Sequence, residues 1–177
     1  QFAAMTTAQI AGLTTNQVAA LETADLVELG TSQIRAFTTS QVVALDTTQV
    51  AELTTSQVAA LSTTQVRAMQ TADVAAIETT DLAIMSTAQL AAMSTGQIDA
   101  LGTTQLTSLT TSQLASLSTT QLAALSTADF AALDSGQFVA LTTQQIAGLT
   151  TNQIAAFETS DLIELGTSQI RAFTTSQ

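Results

Sequence analysis

Phe37-Thr38-Thr39-Ser40-Gln41-Val42-Val43-Ala44, followed by Leu45, is the phrase whose reading decides the fold, because the chain repeats it from one end to the other. A large apolar residue returns every eight residues from Met5 through Leu13, Leu21, Leu29, Phe37 and Leu45 to Phe173, without one slip. The octad runs apolar, cap-like, Thr, small, Gln or Asp, apolar, variable, usually Ala, and only Ser135 replaces its Thr. A fixed period of this kind marks a tandem repeat and settles the architecture before any local argument begins.

The second position of the octad holds Thr, Ser, Asp or Gly in 18 of 22 cases, and these are residues that cap helix N-termini. Three places later stands Gln (17 times) or Asp (5 times), as in Thr38 to Gln41 and Ser62 to Gln65. That is the spacing of a capping box, in which each side chain satisfies the other residue's orphan amide. In the same frame Phe37 falls just before the cap and Val42 four residues into the helix, the positions of a hydrophobic staple. Each octad therefore reads as a complete helix start.

A start every eight residues allows only short helices. The apolar residues are spaced 3, 5, 3, 5 (Val42, Leu45, Val50, Leu53), where a continuous helix needs 3 and 4. Eight residues at 100° overshoot two turns by about 80°, so one long helix would scatter its apolar residues over all sides. The expected fold is all-α, a solenoid of short capped helices with one helix per octad. The alternative is a β-solenoid, since Thr, Val and Ile favour strands; against it stand the Ala-rich positions after the apolar residue, the Leu or Met that closes the octad, and the lack of Pro and scarcity of Gly for strand corners. Two buried side chains cannot offset the entropy of ordering eight residues, so octads are expected to be stable only when stacked coil on coil into a rod. Two or three octads should close a coil, with the chain changing direction at each octad without a loop.

A longer period overlies the octads. Residues 1–41 match 137–177 at 34 of 41 positions, including variable places such as Glu22 with Glu158, Gly30 with Gly166 and Arg35 with Arg171. The higher unit is 136 residues, or 17 octads, and its differences are mostly apolar exchanges that packing tolerates. We expect residues 1–177 to be a single octad-repeat solenoid, cut from a longer array. Such copying lengthens a rod and suits a stalk, fibre or spacer.

Composition narrows the functional classes. The chain has no His, Cys, Trp, Tyr, Pro or Lys, so it lacks the usual ligands for zinc, haem or iron–sulfur groups and the usual nucleophile–base pairs. No catalytic, cofactor-binding or metal-binding residue is assigned, and neither an enzyme nor a small-molecule substrate is expected. Only Arg35, Arg67 and Arg171 oppose fourteen acids, and the net charge of −11 opposes binding to nucleic acid. Thr and Gln interrupt every apolar run well short of a membrane span, and the start carries no signal-peptide pattern. The absence of Cys leaves the redox compartment open.

Four octads depart from the cap rule together: Glu22, Gln70, Glu78 and Glu158 stand at the cap, and each is followed three residues on by Asp, at Asp25, Asp73, Asp81 and Asp161. The functional reading is a set of carboxylate pairs for calcium. The structural reading, which we prefer, is a swapped capping box with acids at a positive helix start. The three Arg occupy the variable position and read as solvated charges or contacts to an acid in the next coil. Phe2, Phe37, Phe130 and Phe138 fall in apolar positions and are expected in the core. The Thr column raises one further possibility, a regular hydroxyl array that binds ice.

The stretch Phe37 to Leu45 resembles the first short helix of the DNA-reading repeats of TAL effectors, which also opens with a Thr cap, Gln at the third helical position and a Val-Val-Ala run. What the resemblance implies is a capped short helix only; the second helix, the base-reading pair and the basic balance are missing, so DNA binding is not carried over. Over its whole length the chain is similar in composition to very large bacterial surface or secreted repeat proteins. The expected function is a self-associating structural protein, an extracellular or cell-surface filament or adhesin stalk; the rival is a repeat-built binding surface for ice or another extended ligand.

Overall fold

The computed structural model describes residues 2–177, which contain 21 α-helices and no strand. The expected all-α fold with one helix per octad is what forms, and the β-solenoid is not. Every helix begins at the Thr of its octad, or at Ser135, and runs four to six residues. Residues up to Met93 form one compact unit and residues from Ser94 a second. The first contains a 3-10 turn, Phe2–Ala4, then α1 (Thr7–Ala11), α2 (Thr15–Ala19), α3 (Thr23–Val27), α4 (Thr31–Ala36), α5 (Thr39–Val43), α6 (Thr47–Ala51), α7 (Thr55–Ala60), α8 (Thr63–Ala68), α9 (Thr71–Ala76), α10 (Thr79–Ile84) and α11 (Thr87–Ala92). The second contains α12 (Thr95–Asp99), α13 (Thr103–Ser108), α14 (Thr111–Ser116), α15 (Thr119–Ala124), α16 (Thr127–Ala131), α17 (Ser135–Ala140), α18 (Thr143–Ala147), α19 (Thr151–Ala155), α20 (Thr159–Glu164) and α21 (Thr167–Ile170).

The helix starts have the chemistry that the sequence implies. In α5 the Thr38 N–H donates to Gln41 Oε1 at 2.7 Å and the Gln41 N–H donates back to Thr38 Oγ1 at 3.3 Å. Ser62 with Gln65 and Asp134 with Gln137 repeat the box. At Gly30, which has no side chain to accept, only the Gln half remains, with the Gly30 N–H donating to Gln33 Oε1 at 2.7 Å.

Helices stop because two extended residues follow them. Leu61 (φ −56°, ψ 133°) closes α7 and Ser62 (φ −72°, ψ 157°) caps α8. No described residue needs a positive φ, which explains how a chain so poor in Gly turns at each octad.

Within each unit a helix packs on the one three octads later: α1 on α4, α4 on α7 and α6 on α9 in the first, α12 on α15, α14 on α17 and α17 on α20 in the second. Three octads therefore close one coil. The apolar residue at the fourth helical position lies inside, at 0–1% exposure from Ile10 to Ile146 in every octad. The residue before each cap is also buried, from Leu21 to Leu149. Phe37, Phe130 and Phe138 are core, the last two meeting at 5.3 Å between ring centroids and Phe157 joining them at 5.5 and 4.7 Å. Phe2, expected in the core, is only half-buried in its 3-10 turn. Among the described residues no helix is long and apolar enough to cross a membrane.

Candidate functional site

The chemical feature that recurs through both units is the side chain at the third helical position. Its Oε1 serves its own helix start; its amide nitrogen serves another coil. Gln41 Nε2 donates to the carbonyls of Ile10 at 2.9 Å and Leu13 at 2.7 Å. Gln49 reaches Val18 and Leu21, and Gln57 reaches Leu26 and Leu29, always 31 and 28 residues back. The second unit repeats this with Gln137 on Leu106 and Leu109 and with Gln145 on Leu114 and Leu117. Those carbonyls lie where a helix ends and its last C=O groups lack intrahelical partners. One Gln thus caps the start of its own helix and the end of a helix in the preceding coil. From Gln33 to Gln169 these amides are buried where polar groups must be paired, whereas Gln9 and Gln17 are exposed.

The bonds give every coil two unlike faces. Toward the N-terminal neighbour a coil presents Gln amide donors; toward the C-terminal neighbour it presents carbonyl acceptors. The sequence reading found the capping half of this Gln and missed the coil-to-coil half.

Where Asp replaces Gln the donor is lost and the bond changes sense. Asp129 accepts from Thr103 Oγ1 of the preceding coil at 2.7 Å, and from Ser126 Oγ at 2.6 Å. Asp161 accepts from Ser135 Oγ at 3.4 Å and from the Glu158 N–H at 3.1 Å. The swapped capping box expected for the four unusual octads is incomplete, because the side chains of Glu22, Gln70, Glu78 and Glu158 make no cap hydrogen bond. Their longer side chains miss the amides that Thr, Ser or Asp reach. Gln70 instead sends its Nε2 to the Val43 carbonyl at 3.1 Å, so in that octad an amide acts across coils from the cap position. Among the described residues no three carboxylates gather as a metal cage.

Arg35, expected to meet solvent or an acid, donates its Nε to the Ala60 carbonyl at the end of α7, in the next coil, at 3.0 Å. Arg67 and Arg171 are exposed. The Thr at the first helical position is exposed in nearly every octad, as Thr39, Thr47, Thr55 and Thr63 illustrate. In the second unit an open recess of about 340 Å³ lies between the starts of α15 and α18, lined by Ala115, Leu117, Ser118, Thr119, Thr142, Gln144 and Gln145, with no charged group among them. No constellation for acid–base or nucleophilic catalysis is assembled there.

Comparison with known proteins agrees with an architecture built from short repeats. No curated protein matches the chain. The family model of the ALTTAQ repeat matches residues 1–24, 18–55, 74–111, 109–143 and 124–159, well over half of the sequence. This chain belongs to the ALTTAQ repeat family.

Proposed function

We propose that the protein is a non-enzymatic structural repeat protein that self-associates end to end, forming an extracellular filament or adhesin stalk at a bacterial surface. The observation that carries this reading is the polarity of the coil. A donor face and an acceptor face complement each other, so one copy can continue the stack of another only head to tail, the heterologous contact that generates filaments.

Electron microscopy of the purified chain, with sedimentation over a concentration series, tests the reading. Uniform thin filaments and a mass that rises with concentration are expected. Dispersed single chains of the native protein at all concentrations would remove the proposal. Surface labelling of intact cells tests the location separately. The exposed Thr column favours the second reading, a surface for ice, which predicts altered crystal habit in the presence of single, unassembled chains.

A further inference from the structure

One acidic rung of the ladder leaves a carboxylate oxygen buried without a partner. In the first unit Gln41, Gln49, Gln57, Gln65 and Gln89 all give Nε2–H bonds to carbonyls 31 and 28 residues back. At Asp73 the same offsets lead to Val42 and Leu45. Asp73 is 2% exposed, and its Oδ2 is buried without a hydrogen-bond partner. Gln70 supplies an amide only to the Val43 carbonyl between those two. α9 packs on α6, whose titratable groups are Asp46 at the cap and Glu52 after the last turn, both acids that offer no donor when ionised, and it meets the end of α5, which carries no titratable side chain. Burial pushes the Asp73 carboxyl above its ordinary value, the Gln70 backbone N–H pulls it down, and the negative charge of Asp46 raises it again.

We propose that Asp73 is a proton-operated latch between the end of α5 and the start of α9: ionised, it sets an unpaired acceptor among acceptors and loosens the contact, and protonated, its Oδ2–H stands in for the missing amide. The step takes up one proton from solvent and changes nothing else. A carboxyl that holds its proton more firmly in the folded chain than in the unfolded one contributes stability that is complete at low pH and is lost as pH rises through its folded midpoint. The latch therefore closes as pH falls through that midpoint and opens as pH rises above it.

Two measurements on the whole chain test this. The carboxyl carbon of Asp73, followed by NMR, should titrate above the range of an Asp in an unstructured peptide. Hydrogen-exchange protection of the Val74 to Ile77 amides, taken relative to intrinsic rates, should rise about tenfold as pH is lowered through that same midpoint. Asp73→Asn and Asp73→Gln, which carry the amide permanently, should show high protection throughout and no pH response in these residues. A titration in the ordinary Asp range, or the same pH response in both variants, would overturn the proposal. If neither variant folds, the titration of the native chain decides alone.

Discussion

Gln57 shows why glutamine, and never glutamate, fills the fifth place of the octad. Its Oε1 accepts from the Thr54 N–H at 2.9 Å while its Nε2 donates to Leu26 and Leu29, both at 2.8 Å. Glutamate could make the first bond and not the others. Gln57→Ala should cost about 1–3 kcal/mol in denaturant unfolding, because the buried Leu29 carbonyl it serves is left unpaired. Gln57→Glu should cost more, and its deficit should shrink as pH falls and the introduced carboxyl is protonated. The capping role was legible because box spacing is local. The ladder was not, because its offsets of 28 and 31 residues have meaning only once three octads are known to close a coil. One signal was available: a capping box accepts Glu as readily as Gln, yet this acidic chain places no Glu there.

At the scale of the element, helix starts were legible and their surroundings less so. Thr, Gln and the apolar beat fix where each helix begins, and the two extended residues after it follow from the next cap. What neighbouring coils do to each other is not written within the octad. Gly12 and Gly148 are counterparts in the 136-residue repeat with different surroundings. A Cβ on Gly148 would stand 2.7 Å from Thr119 Cβ and 2.9 Å from its Cγ2, whereas at Gly12 the nearest atom is the Ala8 carbonyl oxygen of its own helix at 3.3 Å. Gly148→Ala should push α18 away from α15 and cost about 1–3 kcal/mol by overpacking. Gly12→Ala should have a much smaller effect in the same denaturant titration. In the acid-rich octads the reading paired cap and third-position residues only with each other, and the structure adds bonds to the preceding coil, from Ser135 to Asp161 and from Gln70 to Val43.

For the molecule as a whole, stability is a sum of octad terms and contacts between successive coils. Removing residues 39–62 takes out α5, α6 and α7 and joins Thr38 to Thr63 in frame, so each remaining helix keeps a cap. The shortened chain should keep its helical circular dichroism per residue and unfold at a lower denaturant concentration. Loss of the helical signal would mean that the coils are not interchangeable. Composition spoke clearly at this scale about the chemistry the chain lacks. It was silent on the direction of stacking, because direction arises from which end of an amide meets which coil.

A ladder of primary amides also keeps time. Hydrolysis turns such a group into an acid without touching the backbone, and it requires water at the amide carbon. Burial withholds that water from the rungs, while Gln9, Gln17 and Gln144 stand in solvent. Material left for long periods should therefore gain extra acids first at exposed Asn16 and Asn152, whose shorter side chains cyclise more readily, and then at those outer glutamines, so that ageing leaves the inner seam intact and marks the surface.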